Sequence, residues 1–197
     1  MKKMILLGAL MLSSAAVYAQ ESRQDVSISG FYLVAPQVNG NAVVLNPTTT
    51  AGVLASYRFL LTPRSGLEVN YSFAQNTDYF TCCGNYTKNP IHARQQEVSG
   101  AYVFGLSFKN YNPFVEAGIG ALVYTPILSG TYTLDSKQNT NIGALFGGGV
   151  AYELSPSFDI RLQYRGFLVK APSFTDNFKT NRYEVVSMPA VGIAYHF

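Results

Sequence analysis

From residue 25 onward, apolar and polar side chains alternate along the chain, the period of a strand with one apolar face. Eight segments carry the pattern. Residues 25–35 put Val26, Ile28, Tyr32 and Val34 opposite Ser27 and Ser29. Residues 50–60 set Val53, Ala55, Tyr57 and Phe59 against Ser56 and Arg58, and 66–75 set Leu67, Val69, Tyr71 and Phe73 against Glu68, Asn70 and Ser72. In 94–106 the apolar parity is Val98, Tyr102 and Phe104, and in 113–125 it is Val115, Ala117, Ile119, Ala121 and Val123. The pattern returns in 140–154, in 157–169 and in 182–197, where Tyr183, Val185, Val191, Ile193, Tyr195 and Phe197 share one parity. Each segment has the length that a tilted strand needs to cross a bilayer.

The connections alternate as well. Residues 62–66, 109–112 and 154–157 are short and rich in turn-forming Pro, Asn, Ser and Gly. The links 36–47, 76–92, 126–139 and 170–181 are longer. Short turns on one side and long loops on the other suit a membrane barrel, with both termini on the side of the short turns. Two features resist the pattern. Pro189 cannot donate to a ladder, and a bulge is expected there. Gly147, Gly148 and Gly149 weaken the sixth segment locally, a concession that makes room for bulky neighbours inside the barrel.

The two ends sharpen the picture. Lys2 and Lys3 precede the apolar run from Met4 to Leu12, and Val17-Tyr18-Ala19 supplies small residues before a cleavage point. Residues 1–19 therefore read as a signal peptide, leaving 20–197 as one domain. At the other end Gly192, Tyr195 and Phe197 make a Gly-x-x-aromatic-x-Phe ending. An exposed apolar edge strand invites pairing with another chain, whereas one that closes a barrel in lipid does not. Two of the 14 basic residues lie in the leader, leaving 12 against 11 acidic ones, so the exported chain carries +1. That near-neutral balance gives no case for nucleic acid as a partner. Trp is absent, so Tyr must take the interfacial role.

Taken together, the strand count, the loop asymmetry and the Gly192/Tyr195/Phe197 ending resemble the OmpA/OmpX-like family of eight-stranded outer-membrane β-barrels. The resemblance spans the whole exported chain. It implies an all-β fold, an eight-stranded antiparallel up-and-down transmembrane barrel in the bacterial outer membrane. It also implies that Gly192, Tyr195 and Phe197 form the assembly signal read by the barrel-assembly machinery. Such proteins are structural, adhesive or small-pore proteins; the cell-wall-binding domain that follows some of these barrels has no counterpart here. The fold-level rival is a soluble sandwich or lipocalin-like barrel. A polar parity rich in Gly, Ser and Ala and poor in Lys fits a crowded lumen better than a solvated surface.

On that reading Arg58, Glu68, Glu97, Glu116, Arg161, Arg165 and Glu184 face inward, since charge on the lipid face costs about 2–4 kcal/mol at the midplane. Eight strands enclose just enough room for side chains, so these charges are expected to pair and plug the lumen. Arg58 is expected to reach Glu68, and Glu184 to reach Arg161 or Arg165. The expected role is structural or interactive, with long outer loops meeting an extracellular or envelope partner. The alternatives are a small channel for ions or apolar solutes and a lipid-modifying enzyme. For the enzyme, His92 is the one candidate, and its neighbours Asn89-Pro-Ile-His-Ala-Arg94 show no serine arrangement; His196 lies in the terminal signal. No catalytic residue, cofactor or metal ligand set is assigned. Adjacent Cys82 and Cys83 in an oxidising compartment can form a vicinal disulfide or an intermolecular link, beside Tyr79, Phe80 and Tyr86 as a contact surface.

Overall fold

A computed structural model describes residues 23–82, 89–127, 138–174 and 179–197. The leader at 1–19, Cys83 and Tyr86 lie outside the described residues, and the side chain of Cys82 with them. Regular structure among the described residues is all strand: β1 Gln24–Leu33, β2 Val38–Gly40, β3 Val43–Pro47, β4 Thr50–Thr62, β5 Ser65–Cys82, β6 Asn89–Gly105, β7 Tyr111–Pro126, β8 Asn139–Ser155, β9 Phe158–Lys170 and β10 Tyr183–His196. No helix among them is long and apolar enough to cross a membrane.

Eight long strands close into a ring. Running from β1 through β4 to β10, each pairs antiparallel with the next, and β10 returns to β1 with Asp25 opposite His196 and Phe31 opposite Ala190. No barrel strand is left with an unpaired edge, which is what lets a sheet sit in lipid. The alternation fixes the register, because a slip of one residue would turn every side chain to the other face. In β9, Ile160, Leu162 and Tyr164 face out while Asp159, Arg161 and Gln163 are buried. The outward parity is apolar on every wall strand, from Ile28 on β1 to Ile142 on β8.

Aromatic rings gather at the end where the chain's short turns lie. Tyr195 meets Phe158 tilted at 5.1 Å and stacks on Phe197 at 6.0 Å, and Tyr111 meets Tyr152 at 5.1 Å. Tyr rings with a wet hydroxyl suit a bilayer interface. Gly192 meets a packing demand of its own: a Cβ there would collide with the Ser29 hydroxyl and the Ile28 carbonyl of β1.

Three departures from the expected layout have physical causes. Residues 36–47 form the β2–β3 hairpin, turning through Asn41 and Ala42 at φ 52° and 57°. β3 then pairs with β5, Leu45 opposite Phe80, and so raises the wall at the end away from the chain termini. β5 and β6 continue through much of the expected 76–92 loop, paired as far as Phe80 and Asn89. Finally, Pro189 makes no bulge. Its register against β9 runs on unbroken, with Pro189 opposite Tyr164. On the β1 side the ladder stops at Phe31–Ala190 and resumes at the Val34–Ser187 bridge, so the missing donor falls in that gap.

Candidate functional site

The lumen is the candidate site, and each strand shows how it is built. Rising along β1, the inward residues are Asp25, Ser27 and Ser29, then Phe31 and Leu33. Along β9 they are Asp159, Arg161, Gln163 and Arg165, then Phe167 and Val169. β4 turns from Arg58 and Ser56 to Leu54, and β7 from Glu116 to Leu122 and Tyr124. One end of the lumen is therefore densely charged and the other largely apolar, with Asn76, Asp78, Gln95 and Glu184 among its buried polar members.

In the charged half every arginine has an acid. Arg58 contacts Glu68 at 2.6 Å through Nη2 and donates from Nε at 2.7 Å, with its guanidinium 4.7 Å from the Phe114 ring centroid. Arg161 meets Asp25 at 2.8 Å. Arg165, fully buried, reaches Glu97 at 3.0 Å and Glu116 at 3.2 Å. The Ser72 and Ser99 hydroxyls donate to Glu97 at 3.0 and 2.7 Å. Asn70 joins the groups when its amide nitrogen faces Ser56 Oγ (2.6 Å) and Glu68 Oε1 (2.8 Å) and its oxygen faces Arg165 Nη2 (3.3 Å). Gly147 makes room for Glu116: a Cβ there would sit 2.5 Å from Oε1. Charged hydrogen bonds of this kind are short and strong, and a buried charge without them would be costly.

Glu184 does not join this network. On β10 it stands opposite Val169, whereas Met188 stands opposite Arg165 and Gly192 opposite Arg161. It is thus four residues from the level of Arg165, roughly 13 Å at about 3.3 Å per residue. Arg161 pairs with Asp25 instead. Asp25, Ser99 and Asp159 also face inward here; the sequence alone did not single them out as site residues, and nothing in it marked their partners.

The apolar half is filled by side chains from around the ring: Phe31, Leu54, Leu122, Leu145, Phe167 and Met188 pack in one buried cluster. The β2–β3 hairpin covers it with Val38, Val43 and Leu45, and Phe80 meets Phe174 edge-on at 6.0 Å. At the charged end a cavity of about 130 Å³ opens among Asp25, Arg58, Phe114, Asp159, Arg161 and His196. There His196 Nε2 lies 2.7 Å from Asp159 Oδ2. His92 is on the outer wall, its Nδ1 2.7 Å from the Thr77 hydroxyl. Neither histidine hydrogen-bonds a serine among the described residues. Nor do three or more His, Cys, Asp or Glu gather there in a metal-holding group.

The family model of the outer membrane protein beta-barrel domain matches residues 5–197. Among solved structures, OprG of Pseudomonas aeruginosa is similar with a TM-score of 0.69 at 10% identity, covering 90% of this chain and 97% of that one. Neisserial surface protein A, NspA, is similar with a TM-score of 0.59 at 14% identity, over 89% of this chain and 98% of that one. The outer membrane protein AlkL, solved in lipid bilayers, is similar with a TM-score of 0.56 at 13% identity, covering 92% and 94%. At such identities these likenesses speak to the fold. No curated protein matches the chain.

Proposed function

Because this chain belongs to the outer membrane protein beta-barrel domain family and is a β-barrel of the bacterial outer membrane, we propose that it serves as a structural and interaction barrel with a side-chain-plugged lumen. The observation that carries this reading is the double filling of the bore. Arg58, Arg161 and Arg165 are paired across one half, and Leu54, Leu145 and Phe167 pack the other. What remains to meet a partner is the outer rim. There the β2–β3 hairpin and the upper ends of β5 and β6 turn polar groups such as Gln75, Thr77 and His92 outward. On this proposal the chain is exported by its 1–19 leader, begins at Gln20 when mature, and is inserted by machinery that reads Gly192, Tyr195 and Phe197.

The largely apolar half of the lumen favours a second reading, a path for small apolar solutes, which its Phe and Leu side chains would solvate. Liposome swelling tests the plugged reading against an open aqueous channel. Purified barrel in lipid vesicles is expected to admit small sugars and amino acids no faster than lipid alone. Swelling whose rate falls with solute size would support a channel and sink the plugged reading.

A further inference from the structure

We propose that the outward face of β5, β6 and β7, at the outer end of the barrel, holds the phosphate of a lipid headgroup, bound by Arg94 and His92. This deepens the interaction reading given above, on which it rests, and does not depend on the lumen being plugged. Alternation turns every acid of these three strands inward: Glu68, Asp78, Glu97 and Glu116 are all buried. Arg94 and His92 lie on the opposite parity of β6 and are exposed, with no ion-pair partner among the described residues. They are two positions apart, so roughly 7 Å separates them on one face.

Height along the strand says what would bind there. Arg94 is ten residues from Phe104, an exposed ring at the short-turn end of β6. At about 3.3 Å per residue and a tilt of about 40°, that is roughly 25 Å along the membrane normal, the height of the apolar band of such barrels. Arg94 therefore stands at the level of the outer headgroups. Below it the outward residues are Val98, Gly100 and Tyr102, with Ala121 and Ile119 beside them, a wall for acyl chains. The Tyr71 hydroxyl marks the upper edge of that wall and accepts from Gln96 Nε2 at 2.7 Å. Polar groups flank Arg94: the register sets Gln75 on one side and Thr125 on the other. The Thr77 hydroxyl lies 2.7 Å from His92 Nδ1, which leaves Nε2 for a second partner. An anion meets these groups with no outward acid to repel it, and a guanidinium fits phosphate through two parallel N–H bonds. A lipid, unlike a soluble anion, also covers the apolar wall directly beneath.

The test uses the mature chain refolded in uncharged detergent, with heat-modifiable gel migration as the check of folding and native mass spectrometry as the readout of bound lipid. Phosphatidic acid is titrated in, against diacylglycerol with the same acyl chains and against inorganic phosphate. Saturable binding of phosphatidic acid is expected, with the other two weaker by about tenfold or more. Arg94→Gln/His92→Gln should weaken phosphatidic acid binding by about tenfold or more. Lys109→Gln, which removes an exposed cation at the opposite end, should leave it unchanged. Should the double variant fail to fold, Arg94→Gln alone decides, with weakened binding expected. Equal binding of diacylglycerol would overturn the site, since the apolar wall alone would then account for it. Inorganic phosphate binding as tightly would overturn the lipid as occupant. Undiminished binding in the folded Arg94 variant, or an equal loss in Lys109→Gln, would overturn the assignment to this face. None of these outcomes bears on liposome swelling, which tests the plugged lumen separately.

Discussion

The two halves of the lumen are filled by different physics. At the end near the chain termini, buried charges hold one another in fixed geometry: Arg165 answers to Glu97 and Glu116, Arg58 to Glu68, Arg161 to Asp25. At the outer end Phe31, Leu54, Leu145, Phe167 and their neighbours pack as in the core of a soluble protein. The halves share one outward surface, since the apolar parity continues past both. The comparison teaches that the lipid face constrains a barrel's exterior uniformly and leaves its interior free to be closed in either way. It also predicts different failures. A charged plug loses one partner and leaves another stranded, whereas an apolar plug loses a side chain and leaves a void.

The largest effect is expected from Arg165→Ala. It strands Glu97 and Glu116 in a fully buried setting, at about 3–5 kcal/mol for breaking such a group, measurable by urea unfolding in lipid vesicles. Leu54→Ala tests the other half. It should cost about 2–5 kcal/mol through lost burial and a residual cavity, by the same measurement. An apolar void stays dry, so this variant should remain as closed to ions as the parent. The smallest effect is expected when the Arg165 group is neutralised as a unit. Arg165→Met with Glu97→Gln and Glu116→Gln removes all three of its charges at once, and replacing a buried ionic group by uncharged residues of similar volume is often near neutral. A triple variant as unstable as Arg165→Ala would show that the ion pairs stabilise outright and that compensation is not their chief role.

The sequence showed the wall more readily than its filling. Period-two alternation located all eight wall strands, because one face of each must be apolar along its whole lipid-facing length. Where the wall rises beyond that band the contrast disappears. Thr77 faces out while Asn76 and Asp78 face in, so polar residues lie on both faces and the upper part of β5 reads as loop. The β2–β3 hairpin was hidden for a related reason, being three short pairings that gain stability only by covering the lumen. Parity identified Arg58 and Glu68 as inward neighbours, and the antiparallel register brings them opposite each other. It failed for Glu184, because parity gives the face of a residue and not its height in the barrel. Asp25 became the partner of Arg161 through barrel closure, a contact between chain positions far apart in sequence. Pro189 needs no bulge, because an interruption on one side of the ladder accommodates it, and the sequence does not show on which side a ladder pauses.

Single-channel recording in planar bilayers tests the plugged lumen most directly. The native barrel is expected to pass negligible current at any voltage it survives. Arg165→Ala should give noisy, intermittent current as water enters beside the stranded acids, while Leu54→Ala should stay silent. A steady, large, ion-selective conductance in the unmutated protein would contradict the account.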